Sequence, residues 1–399
     1  MAQETPTVAS HVSSYSDEDV ESWFDSESET ENLPVKEDVE VRFVESQLRV
    51  VRSTMDLTIH TLKASLSDQN YIKINPAYQR RQRWTHKQKS LLIESLLLNI
   101  PVPPIFLFEN EYNQYEIMDG RQRIESIRDY LDNRYALRSL EYWPELNGKQ
   151  FSQLPEIIQR GLLRRTISAM VLLAETTRPE QAGFDVRMAL FKRLNTGGTR
   201  LNPQEIRNAL YPSSFNSLII ELSKHDMFRS IWGIPLFRDG EDENPSKDLL
   251  NNTLYKMMAD CDIVLRFFAI KETIECGRKG SLQTLMNVCM KSHLYDAPDI
   301  ISSLRDDYIH TLEALYGIFQ GKPFVLPGTN RVSRPVYDAL MVGASLIGLD
   351  TLQGRGMSIR DCYRDEVADP DSYEILIGRG NTIESIVDRV DLAIQILSS

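Results

Sequence analysis

Strand signals crowd into the part of the chain before Thr177 and fade after it. Four short runs carry them: "YIKI" (71–74), "IFLF" (105–108), "YEIM" (115–118) and "ISAMVLL" (167–173). The first alternates apolar and polar residues, as a strand with one covered face does. "IFLF" and "YEIM" flank "ENEYNQ", which reads as the loop of a hairpin. Past Thr177 the spacing turns helical, over 180–194, 248–272, 281–293, 299–319, 334–348 and 382–398. The predicted class is α+β: an α/β domain over 46–176, then a mostly α-helical domain over 177–399.

Capping chemistry sharpens several helix starts. Thr85 with Gln88 three residues on makes a capping box, opening a helix that Pro101 stops after about Asn99. A second helix is expected from about Arg121 to Asp132. Asn202, Pro203 and Glu205 supply an N-cap, a proline in the first turn and a capping-box acid. No repeat of fixed period is visible.

Charge is unevenly placed. The whole chain carries −12 over 399 residues, but residues 1–40 hold twelve acids and one base, Lys36. The remaining residues are therefore close to neutral, and local patches matter more than the total. Residues 1–45, rich in Ser, Thr, Glu and Asp, read as a disordered acidic tail. Its role is either solubility or mimicry of nucleic acid over a basic site. No apolar run approaches the roughly 18 residues that span a bilayer. Nothing near the N-terminus reads as an export signal, so a cytoplasmic protein without membrane partners is expected. Cys261, Cys276, Cys289 and Cys362 are widely spaced and form no zinc-like set. The six histidines are isolated too, and no GxSxG, GxGxxG or HExxH grouping occurs.

Three clusters can carry chemistry. Residues 71–90 contain six bases (Lys73, Arg80, Arg81, Arg83, Lys87 and Lys89) and no acid, with Tyr71, Tyr78 and Trp84 among them. Arginine forks suit phosphate, and aromatic rings stack on bases. The second cluster, "YEIMDGRQR", sets Asp119 and Gly120 at a strand–helix joint. A helix N-terminus attracts phosphate, glycine admits close approach, and an aspartate can hold Mg²⁺ or orient a water. Arg121 and Arg123 point about 200° apart on a helix, so one ligand would use only one of them. The third, "FKRLNTGGTRLNPQEIRNALY" (191–211), sets a loop with Asn195, Gly197 and Gly198 before a capped helix. Such a loop can wrap phosphates through its N–H groups, although it lacks P-loop spacing. Each cluster also has a plain structural reading: a solvated basic face, a turn, and a helix connection whose Glu205, Arg207 and Asn208 face a polar side.

Taken in order, "PAYQRRQRW", "LIESLLLNIPVPPIFLFE", "YEIMDGRQRIESI", "FKRLNTGGTRLNPQEIRNALY" and "DIVLRFFAI" resemble the N-terminal domain family of GmrSD-type modification-dependent restriction endonucleases. The likeness runs through about 55–270. It implies a ParB/sulfiredoxin-like α/β domain in which a DGQQR motif supports nucleotide binding and hydrolysis. Here that motif falls on Asp119, Gly120, Gln122 and Arg123, with Arg121 in place of its first glutamine. Members of the family usually continue into an HNH-type nuclease. The stretch 271–399 offers no His-and-Asn set for that metal site, and His293 and His310 lack suitable companions in the sequence.

The resemblance and the clusters together give one leading expectation. The chain binds and hydrolyses nucleoside triphosphate with Mg²⁺ and acts on or senses foreign DNA in defence, a separate nuclease subunit doing any cutting. Asp119, as metal ligand, with Gln122 and Arg123 would be catalytic. Gly120, Arg121, Gln79, Arg80, Arg83, Asn195, Gly197 and Gly198 would bind nucleotide, and Arg81, Trp84 and Lys87 nucleic acid. The alternative is a non-catalytic DNA-binding or regulatory module using the same basic groove.

Overall fold

The structure, a computed structural model, describes residues 15–26, 52–67, 71–73, 84–173, 202–242, 245–326, 329, 331–377 and 382–399. The chain forms two compact units: Lys36–Leu201, and a second assembled from Met1–Val35 with Asn202–Ser399. The division falls at 201/202, against the 176/177 expected from the fading of strand signals. Among the described residues, no helix is long and apolar enough to cross a membrane.

The acidic segment expected to be disordered contains an ordered helix, α1 (Asp17–Ser26), which belongs to the second unit. Composition hid a short apolar face: Tyr15, Val20 and Phe24 are buried. The Tyr15 hydroxyl donates to the carbonyl of Val332 at 2.5 Å, and burial raises its pKa despite the neighbouring Arg331. Lys256 meets Asp17 at 2.7 Å and Arg331 meets Asp19 at 3.0 Å. Three acids in the first turn also complement the helix dipole. Residues 1–14 and 27–45 lie outside the described residues.

The first unit is built on a five-stranded mixed sheet of order β1-β5-β3-β4-β2. Its strands are β1 (Arg52–Thr58), β2 (Ile72–Lys73), β3 (Ile105–Glu111), β4 (Gln114–Asp119) and β5 (Thr166–Leu172). The expected hairpin is β3–β4, antiparallel, with longer strands and a tighter turn than the sequence indicated. The Asn113 N–H donates to the Glu109 carboxylate at 2.8 Å, and Asn113 takes φ 63°, which closes that turn. β2 pairs with β4, and β3 with β5, in parallel, whereas β1 and β5 are antiparallel.

Four helices accompany the sheet: α2 (Ile59–Ser67), α3 (His86–Leu97), α4 (Arg121–Leu131) and α5 (Glu156–Leu163). Leu62, Ile93, Leu96, Ile124, Ile127, Tyr130 and Leu162 pack with Ile105, Leu107, Ile167, Ala169 and Val171 in one core. Each of the leucine, isoleucine and valine side chains contributes about 1.5–3 kcal/mol when fully buried. The capping box of α3 forms as its residues require: the Gln88 N–H donates to Thr85 Oγ1 and the Thr85 N–H to Gln88 Oε1. Glu94, buried within the apolar run of α3, accepts the backbone N–H groups of Glu141, Tyr142 and Trp143 at 2.8–3.1 Å. Those bonds fasten an irregular segment to the core.

The second unit is helical, and the predicted helices at 281–293, 299–319, 334–348 and 382–398 appear as Leu282–Ser292, Pro298–Ile318, Arg334–Ile347 and Ile383–Leu397. The run 248–272 instead divides into Lys247–Asn251, Thr253–Lys256 and Ala259–Cys276. Asn252 accepts the Tyr255 N–H and so caps a new helix, and Met258 at φ 56° breaks the next. Ala259–Cys276 is buried around most of its circumference, charged Asp260, Asp262 and Arg266 included. The predicted helix 180–194 lies outside the described residues.

Candidate functional site

β4 ends at Asp119, where the chain turns through Gly120 into α4. Gly120 takes φ 92° and ψ 8°, a left-handed conformation open mainly to glycine. A Cβ there would stand 2.5 Å from Ile105 Cγ2 and 3.0 Å from Arg123 Nη2. The space that glycine leaves is thus taken by Ile105 at the start of β3. The motif's glycine has a steric reason of its own, independent of any ligand.

Arg123 pins the same joint. Its Nη2 donates to Asp119 Oδ2 at 2.8 Å and to the Pro104 carbonyl at 3.1 Å. The side chains of Asp119 and Arg123 are 29% and 15% exposed, so the carboxylate still reaches solvent. Arg123 Nε is buried without an acceptor among the described residues. No side-chain hydrogen bond caps α4 at Gly120. Arg121 points elsewhere, its Nε donating to Glu125 Oε1 at 2.8 Å along the helix.

The parallel pairing of β2 with β4 sets Lys73 opposite Glu116. The chain therefore leaves β2 in the direction in which β4 runs on to Asp119. In open, mostly parallel α/β sheets, ligands bind beyond the carboxyl ends of the strands. Gln79, Arg80, Arg81 and Arg83, which follow, lie outside the described residues, as do Asn195, Gly197 and Gly198.

Trp84 and Lys87 stand away from the joint. Trp84 packs half-buried on the core and Lys87 is exposed, both at the start of α3. Lys89, one turn further, meets Asp129 at 3.4 Å. Asp129 follows Gly120 by nine positions on α4, about 13 Å along a helix axis. The start of α3 therefore lies toward the far end of α4 from Asp119. Asp129 also accepts from Arg128 and Arg134, so Lys89 belongs to a local charge cluster.

The third motif is partly structural. Asn202 and Glu205 make the expected capping box. Arg207, expected on a polar face, is fully buried, where it meets Asp262 at 2.9 Å, Gln204 at 3.0 Å and Asn287 at 3.0 Å. Asn208 is buried beside it and accepts from Gln204. Local spacing reports amphipathicity, but it cannot show that an acid 55 residues away supplies a buried partner. Arg229–Glu241 and Arg266–Asp338 are further buried pairs of this kind.

Residues 62–212 match the family model of the GmrSD restriction endonuclease N-terminal domain. This is the family that the ordered motifs resemble, and Asp119, Gly120 and Arg123 fall within the matched stretch. No curated protein and no solved structure matches the chain.

Proposed function

We propose that this chain binds a nucleoside triphosphate with Mg²⁺ at the Asp119–Arg123 joint, on a ParB/sulfiredoxin-like scaffold, and serves restriction of foreign DNA. The observation that carries the reading is the partly exposed Asp119 carboxylate, oriented by Arg123 at the start of α4. One Asp119 oxygen is engaged by Nη2, and the other is available to a cation or a water. Mg²⁺ is commonly held by one or two carboxylates together with phosphate oxygens and water, and a single aspartate fits that donor set. When bound, such an ion neutralises charge on the phosphates.

Arg123 acts first as a positioning residue, because Nη2 is committed to Asp119 and Pro104. Gln122 orients the attacking water in this scheme, and Arg80 with Arg83 brings further charge to the phosphates. The family is named for restriction endonucleases. In this reading DNA is the object of the reaction, any cleavage falls to a separate nuclease subunit, and the cytoplasm is its place.

The test is phosphate release from each nucleoside triphosphate with Mg²⁺, with and without DNA, for the parent protein and Asp119→Asn. We expect Asp119→Asn to lose turnover by about 10²-fold or more, of the order that general acid–base catalysis contributes. Equal turnover in the two proteins overturns the assignment. The engagement of Arg123 Nη2 favours a second reading, in which DNA is bound without hydrolysis. Affinity would then fall with salt at a slope of about −0.9 per duplex phosphate contacted, and no turnover would appear.

A further inference from the structure

We propose that Glu272, Cys289 and His293 in the helical unit form a binding site for one zinc-class divalent cation, distinct from the Asp119 joint. One ligand atom from each lies within 4.8 Å of the others. Tetrahedral zinc with Zn–S of about 2.3 Å and Zn–N or Zn–O of about 2.0 Å needs separations of roughly 3.3–3.8 Å. A closure of about 1 Å by side-chain rotation brings the three into range. Cys289 and His293 are four residues apart, at the end of Leu282–Ser292 and its C-cap, so they share one helix face. Glu272 comes from the neighbouring helix Ala259–Cys276.

The groups around the three residues are what distinguish this cluster from chance proximity. His293 Nδ1 is hydrogen-bonded to the Asp296 carboxylate. Donation by Nδ1–H turns the Nε2 lone pair toward Glu272, whose Oε2 lies 3.8 Å away. A carboxylate on the far nitrogen is the usual outer support of a metal-bound histidine. Glu272 is supported in the same manner: Arg278 meets its Oε1 at 2.9 Å, leaving Oε2 facing His293. Ser292 Oγ donates to Glu272 at 3.2 Å. The Phe215 ring lies 4.4 Å from the imidazole at 30° and holds its plane.

The donor set also selects the ion. A thiol sulfur and an imidazole suit zinc and its neighbours and disfavour Mg²⁺ or Ca²⁺. Cys289 is buried, and burial together with Glu272 pushes its thiol well up from its ordinary pKa. A coordinated thiol is deprotonated outright, so binding releases a proton to solvent and weakens as pH falls. Glu272 and His293 are 21% and 18% exposed, which gives the ion a way in. Read along the sequence, Cys289 belongs to no zinc-like set and His293 has no companion. The fold supplies both, by laying one helix against the next.

The test titrates the full chain, freed of metal by a chelator, with Zn²⁺ and with Co²⁺. One equivalent is expected to bind, with a thiolate-to-cobalt charge-transfer band. Cys289→Ser should abolish the band. Asp296→Asn, which leaves all three ligands in place, should weaken Zn²⁺ affinity by about 10–100-fold. Cys276→Ser, at the exposed thiol, should change neither result. Absence of stoichiometric binding overturns the proposal, as does a band that survives Cys289→Ser or disappears with Cys276→Ser. If Cys289→Ser fails to fold, His293→Gln decides by Zn²⁺ affinity, which should fall by about tenfold or more; an unchanged affinity makes the cluster a closed hydrogen-bond network only.

Discussion

In the helical unit Arg207 meets Asp262, Arg229 meets Glu241 and Arg266 meets Asp338, every side chain at most 5% exposed. At the end of β4 Arg123 meets Asp119 with 15% and 29% of their side chains still open. The ion pairs are of one kind and their surroundings differ. A fully buried pair gives up its hydration, and its charges are then committed to each other and to nearby amides. Its lasting effect is to fix which helices pack together. A pair at the end of a strand keeps part of its hydration, and a carboxylate oxygen there can exchange water for a ligand. A committed pair serves architecture, whereas a pair that still reaches solvent keeps a carboxylate that a ligand can meet.

The largest expected effect comes from breaking a buried pair. Asp338→Ala removes the carboxylate that meets Arg266, and Asp338 also favours the charged form of Arg389, whose pKa burial lowers. Removing one member of such a pair costs about 3–5 kcal/mol. Urea denaturation followed by circular dichroism should show that loss. A change below about 1 kcal/mol, the range of exposed pairs, would erase the contrast between the two environments.

Next comes Gly120→Ala, which tests whether the joint is built sterically before it is built chemically. Overpacking costs about 1–3 kcal/mol and a left-handed backbone about 1–2 kcal/mol more. A combined loss of about 2–5 kcal/mol is expected, smaller in an Ile105→Ala background, which removes the clashing Cγ2. An unchanged midpoint would mean that the joint relaxes freely and that Gly120 is kept for a ligand.

Much of this architecture was legible in the sequence because it is local. The β3–β4 hairpin, β5, the Thr85 and Asn202 caps and four long helices all announce themselves within a dozen residues. β1 did not. It is an edge strand whose Ser53, Thr54 and Asp56 are exposed, with Leu57 its one buried apolar side chain, so alternation is barely visible. The helix Asp17–Ser26 was masked by its acids, although Val20 and Phe24 have helical spacing. At the joint, Asp119, Gly120 and Arg123 could be picked out as a motif. That Arg123 reaches Asp119 and Pro104 could not, since a bond to Pro104 depends on how β3 lies beside β4. The buried pairs and the Glu272–Cys289–His293 cluster escaped for that reason: their members meet only after helices pack.

The smallest stability effect is expected at Arg121, and it separates the two arginines at the start of α4. Arg121 pairs with Glu125 one turn along α4, an i,i+4 contact at partly exposed positions. Such contacts contribute about 0.3–0.5 kcal/mol, and loss of this pair in Arg121→Gln should lower the unfolding free energy by about that much. Its effect on turnover is the informative quantity. If Arg123 alone orients Asp119, Arg121→Gln leaves phosphate release within about twofold, roughly 0.4 kcal/mol of barrier. A tenfold loss would place Arg121 on the phosphates and require it to leave Glu125 when nucleotide binds. Arg123→Gln in parallel provides the contrast, because it frees Asp119 Oδ2 and the Pro104 carbonyl together. Turnover that survives Arg123→Gln but not Arg121→Gln would reverse the roles proposed for the two side chains.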